Sequence, residues 1–223
     1  MDMRTLGRGP LIVVGASVLS CAATLVYAHA AYSPNTAGRV LDGCLEELLP
    51  TGAGMAVIGV LAGDPALELQ ATARRVLPRL ALIRLGVLFL LALIAAGVLC
   101  VFAGALGVTA PRNTPGDLAL TVLAPVLFLT AFGFTASVVV QGATAAGALI
   151  LALVAAENVA GGSLSTGALQ RVFLFATTYA PTASGWLSNR LTLILCGLVL
   201  LGLGVWAASR PGVALALAHG DPA

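Results

Sequence analysis

Lysine is absent from this chain of 223 residues, and all 11 basic residues are arginine. Charge of either sign is scarce: 9% of residues are charged and 59% are hydrophobic, with a mean hydropathy of +1.03. A soluble domain carries about 25% charged residues, so this chain cannot cover a water-facing surface. A net charge of +2 with no basic stripe is too small to suggest nucleic acid, and no nucleic-acid partner is expected. No G-x-x-x-x-G-K-[ST] sequence occurs, so the chain cannot cradle a nucleoside triphosphate by that route. The four cysteines are scattered. Cys21, Cys100 and Cys196 fall in apolar runs, where a thiol acts as a small hydrophobe, and Cys44 stands alone near the expected outer face. No C-x-x-C or Cys/His spacing is present, and His29 and His219 are isolated, which argues against a metal site or a disulfide framework. No nucleophile–base pair or carboxylate cluster falls inside an apolar run. Intramembrane proteases and proton-driven carriers need buried ionisable groups there, so the chain is expected to catalyse no covalent chemistry of its own.

What remains is apolar sequence punctuated by arginine. Its length suits about six crossings of roughly 20 residues plus short loops, an all-α polytopic membrane protein. With charged residues as boundaries, the spans are expected at 11–32, 46–63, 85–106, 118–140, 143–160 and 191–209. No charge occurs between Asp117 and Glu157, and the polar break at Gln141-Gly142 is the natural turn between the fourth and fifth spans. Six crossings put both termini on one side. With the amino terminus inside, the cytoplasmic segments hold Arg4, Arg8, Arg74, Arg75, Arg79, Arg84 and Arg210, against Arg39, Arg112, Arg171 and Arg190 outside. The positive-inside rule favours that orientation, a multi-pass protein of the cell membrane with cytoplasmic termini. Arg4, Arg8, an apolar run and Ala28-His29-Ala30 also fit a secretory signal with an A-x-A cleavage site. The run is longer than a usual signal core, so an ordinary first transmembrane helix is the preferred reading.

The segment 64–84 is the main charged feature. Asp64 suits a helix N-cap and Pro65 the first helical position. Ala66 to Leu77 then reads as a short helix that Pro78 stops or bends. Glu68, Thr72, Arg75 and Arg79 share one face at helical spacing. Such a helix can lie on anionic headgroups through its arginines, but Glu68 on that stripe favours a protein surface. Farther along, Glu157 and Asn158 read as a helix end exposed to water. Ala143, Gly147 and Leu151, with Gly133 and Ala136 in the preceding span, read as close packing within one subunit.

The order Asp64-Pro-Ala-Leu-Glu68-Leu-Gln-Ala-Thr72-Ala-Arg-Arg-Val-Leu-Pro78, between the second and third spans, resembles the loop of ABC-2 type transporter permeases. In that family an acidic residue, a Gly-Thr pair and a proline mark the coupling helix that sits on the ATPase subunit. Glu68, Ala71-Thr72 and Pro78 stand at those positions. Val172 to Pro181, too short to span, precedes Trp186-Leu-Ser-Asn189-Arg190, and resembles the family's re-entrant outer segment before the sixth span. Two departures are the alanine at position 71 and the near absence of an amphipathic amino-terminal helix.

The resemblance implies a single permease domain, 1–223, working with a second copy or a related permease on two ABC ATPase subunits. The chain would hold no cofactor, with ATP and magnesium bound by the ATPase. Glu68, Thr72, Arg74, Arg75 and Pro78 would couple ATP hydrolysis to export of a lipophilic compound, peptide or glycan. By position in the family, the path runs between the second and fifth spans, near Thr51, Met55, Thr144 and Leu151. Two other classes remain open: a secondary transporter or channel without an ATPase, and a structural membrane protein whose arginine loop binds lipid.

Overall fold

The computed structural model describes residues 8–62, 76–164, 170–180 and 183–210, and among these it is helical with no strand. Helix α1 is Arg8–Ala31. Ser33 caps the next helix, its hydroxyl accepting from the Thr36 N–H, and Pro34 occupies the first turn, where its missing N–H leaves no gap. That helix, α2 (Pro34–Gly43), continues through a π turn, Cys44–Leu48, into α3 (Leu49–Ala62). Helix α4 is Val76–Ala105 and ends on Gly107 at φ +73°. The Val108 N–H returns to the Ala103 carbonyl there, a left-handed cap that suits glycine. Thr114 and Pro115 open α5 (Pro115–Val140), which ends at Gln141 with φ 57°. Helix α6 is Ala143–Leu164, α7 a single turn at Ala176–Tyr179, and α8 Trp186–Ala208. The chain therefore reverses at Gln141-Gly142.

The π turn has a local cause. Pro50 has no N–H to bond the Glu46 carbonyl, and in a regular helix its ring would crowd that carbonyl. The turn widens instead, and the Leu49 N–H reaches back to the Cys44 carbonyl. Helical structure runs without a break from Pro34 to Ala62, longer than the span expected at 46–63.

Among the described residues, five helices are long and apolar enough to cross a membrane: Arg8–Ala31, Arg79–Ala105, Pro115–Val140, Ala143–Gly161 and Trp186–Ala208. Helix α3, at 14 residues, is not one of them. Successive long runs alternate in direction. At one end Val14, Ala56, Ala81, Val138 and Ala208 pack together; toward the other, Leu25, Ala37, Leu41, Leu99, Ala103 and Val108 do. Helix α5 is the central post, packed on α3, α4, α6 and α8. Of its most apolar stretch 67% is buried, against 22–28% in the other four spanning-length helices. The outward faces of those four are apolar, as Leu90, Ile94 and Val98 of α4 and Leu191, Leu195 and Leu198 of α8 illustrate. A multi-pass membrane protein accounts for that surface.

Small residues set the closest approach. A Cβ on Gly133 would come within 2.7 Å of the Gly54 carbonyl oxygen, and one on Gly54 within 2.9 Å of the Leu129 carbonyl oxygen. Gly133 thus joins α5 to α3 within one chain. Of the expected stop or bend at Pro78, the stop is corrected: Val76, Leu77 and Pro78 belong to the helix that runs on to Ala105. Near the start of a helix a proline breaks no interior hydrogen bond. Glu68, Thr72, Arg74 and Arg75 lie outside the described residues.

Candidate functional site

The π turn carries two adjacent acids, Glu46 and Glu47, into different surroundings. Glu46 is fully buried. One of its oxygens accepts from the Thr177 N–H at 3.0 Å and from the Arg190 guanidinium; the other accepts from the Thr178 N–H and Thr178 hydroxyl, both at 2.8 Å. Arg190, also fully buried, donates further to the Leu174 carbonyl at 3.2 Å and the Thr177 hydroxyl at 3.0 Å. The Trp186 indole N–H reaches the same hydroxyl at 2.7 Å, and the Arg112 guanidinium lies 4.4 Å from the Trp186 ring centre.

This network has a structural logic. The segment 170–180 holds only the single α-helical turn Ala176–Tyr179, and its other buried backbone groups need partners from elsewhere. Glu157 accepts from the Leu174 N–H at 2.7 Å, and the Asn189 amide donates to the Gln170 and Phe173 carbonyls at 2.7 and 2.8 Å. Side chains of the π turn, α6 and α8 thus supply what a helical ladder would. Phe173, Leu174, Phe175 and Trp186 pack beneath. The segment closes one end of the bundle as a plug.

Four expectations are corrected here. Glu157 is not exposed to water but buried against Leu174. Arg190 does not mark a water-facing boundary, because its charge is met inside the protein by Glu46. Buried ionisable groups are present: Asp42 is fully buried as well, and neither of its oxygens has a hydrogen-bond partner among the described residues. Burial, and next the nearby Glu46 charge, push the Asp42 carboxyl up to about 7. Cys44, expected to stand alone, is buried beside Cys21, each thiol directed at the other's carbonyl.

Glu47 faces outward into a groove between α1, the π turn with α3, and α6. The groove has a volume of about 590 Å³, and its walls include Ile12, Ala16 and Ser17 of α1, Thr51 and Met55 of α3, and Leu151 and Val154 of α6. Gly52 lets α1 approach, since a Cβ there would meet the Ser17 hydroxyl at 1.9 Å. One Glu47 oxygen accepts from the Asn158 amide at 2.7 Å. Asn158 is itself held by the Val154 carbonyl at 3.1 Å and the Tyr179 hydroxyl at 3.4 Å. Among the described residues no arginine pairs with Glu47.

Three of the four residues named for a path, Thr51, Met55 and Leu151, therefore meet in one groove. Thr144 does not; it is exposed near the start of α6, away from the groove walls. The sequence reading gives Glu46, Glu47 and Asn158 no part in a site: it takes the two acids as an end of the second span and Asn158 as part of a water-exposed helix end. For the two acids the signal is their place four and three residues ahead of Pro50. Among the described residues no group of three His, Cys, Asp or Glu side chains could hold a metal. Comparison with family models, curated proteins and solved structures finds no match.

Proposed function

We propose that this chain is the membrane-spanning permease subunit of an ATP-driven exporter of the ABC-2 kind, with six crossings and both termini in the cytoplasm. The second crossing would be the π turn with α3, leaving α2 and Asp42 ahead of it, and the plug at 170–180 would be the re-entrant outer segment. A separate ABC ATPase would bind ATP and magnesium and act on the segment 64–78. A second permease copy or a related chain would complete the path, and the cargo would be a lipophilic compound, peptide or glycan.

The observation that carries this reading is the groove. It lies between the second and fifth of the six runs, has apolar walls with one carboxylate, and opens sideways where Ile12 and Leu151 are exposed. A lipophilic substrate could enter it from the bilayer. The test is copurification of a Walker-A ATPase with the wild-type chain and with Glu68→Arg. Reversing an exposed charge costs the isolated permease less than about 1 kcal/mol, whereas a like-charge contact across a protein interface costs several. The variant should lose ATPase and efflux together. Unchanged ATPase binding and efflux would remove the coupling role of Glu68. Topology is checked separately: labels on Arg112→Cys and Arg171→Cys should react from outside intact cells, and on Arg75→Cys only after permeabilisation.

A second reading, a transporter without an ATPase, is favoured by one observation, the buried Asp42 beside the Glu46–Arg190 pair. Uptake driven by a proton gradient in liposomes holding this chain alone would select it.

A further inference from the structure

We propose that the groove binds a lipophilic monocation, a compact apolar body with a single positive charge set against Glu47. The proposal rests on the permease reading for its biological role, since binding itself needs no ATPase.

The argument begins with the contrast between neighbours. Glu46 has a guanidinium and three further donors; Glu47 has one amide. A carboxylate against hydrocarbon is costly unless a cation meets it, and among the described residues no arginine does. Asn158 occupies one oxygen and is itself held from two sides, so the carboxylate is aimed before any ligand arrives. The remaining walls offer Ile12, Val13, Met55, Leu151 and Val154, which suit an apolar body and discriminate little among bodies. Charge is therefore the selective element. One carboxylate favours one positive charge, and an anion of the same shape is repelled.

Size follows from the helix. From Glu47 to Met55 the chain advances about 12 Å, and a volume of about 590 Å³ falls within the range of small-molecule sites. A long peptide or a glycan chain does not fit within it. The open side at Ile12 and Leu151 lets such a compound enter from the bilayer, where lipophilic cations concentrate near the interface.

The experiment uses the purified full chain in uncharged maltoside micelles, with labelled tetraphenylphosphonium as the probe and tetraphenylborate, of like shape and opposite charge, as its control. Saturable binding of the cation and none of the anion is expected. Glu47→Gln should weaken cation binding about 10- to 100-fold, and Glu47→Asp should keep it within about fivefold. Ala16→Trp, on the exposed face of α1, narrows the groove without touching Glu47 and should abolish binding even if Glu47→Gln proves hard to purify. Equal binding of both ions, unchanged affinity in Glu47→Gln, or a site that takes phosphatidylethanolamine but not the phosphonium would overturn the proposal. ATPase copurification separates the two claims. Its failure alongside charge-selective binding removes the exporter reading only, and its success without cation binding removes this one only.

Discussion

The plug and the groove share the π turn yet solve opposite problems. In the plug, Glu46 and Arg190 are sealed from solvent and their donors and acceptors are mostly met within the chain. In the groove, Glu47 is half-buried with one amide partner, and its surroundings are open and apolar. Closure lets a buried charge serve structure, because a strand of irregular backbone can be hung from it. Openness leaves a charge available to something outside the chain. The same residue type at successive positions thus takes two roles, set by what the neighbouring helices bring to it.

The sharpest way to break the contrast is at Arg190. Arg190→Met should destabilise the protein by about 3–5 kcal/mol, because Glu46 is left buried and unpaired. The double variant Glu46→Gln with Arg190→Met should recover at least half of that loss. Urea or thermal unfolding in micelles measures both, and a double variant no better than the single would mean that the pair is not the main constraint.

Next in size is a pH effect near the plug. Asp42 lies ahead of the expected second span, and its carboxyl is raised to about 7, by burial first and by Glu46 second, with Arg190 and Arg39 pulling the other way. The folded protein then keeps a proton that the unfolded chain releases between about pH 4 and 7. Stability should be greatest at the acid end of that window and fall as pH rises through it, by up to about 1.4 kcal/mol per unit. Asp42→Asn should flatten the profile and raise stability at pH 8. A wild-type profile that rises over this window would contradict the assignment.

The wall behind the groove gives a middle value. Gly133→Ala forces a methyl against the Gly54 carbonyl and should cost about 1–3 kcal/mol, read as an earlier unfolding midpoint. Smallest of all is Glu47→Gln, which should shift stability by less than about 1 kcal/mol, in contrast to Arg190→Met. A loss as large as that of Arg190→Met would place Glu47 in the structural class.

The long helices were legible because apolar runs of membrane-spanning length leave few alternatives, and the reversal at Gln141-Gly142 was marked by the only polar break in an uncharged stretch. Thr51, Met55 and Leu151 could be named together from the layout of the family that the sequence resembles, though Thr144 could not be told apart from them. The plug was not legible. Glu46 and Arg190 are 144 positions apart, and the rule that charges mark the ends of spans fails when two charges neutralise each other inside the protein. Glu157 was misplaced for a similar reason: its partner is a backbone N–H in a segment with no periodic pattern of its own. The π turn also escaped, although Pro50 gives its cause.

The dependence of the plug on distant side chains has a consequence for how the molecule is made. Synthesis runs from the amino terminus, so Glu46 leaves the ribosome long before the α8 residues that will meet it. Helices α3 to α6 are all produced while its carboxylate still lacks a guanidinium. Until then segment 170–180 has neither Arg190 nor Asn189 to hold its carbonyls. Helix α8 is therefore the one that locks the first half of the chain, and a ribosome stalled before Trp186 would leave a bundle with one end unsealed.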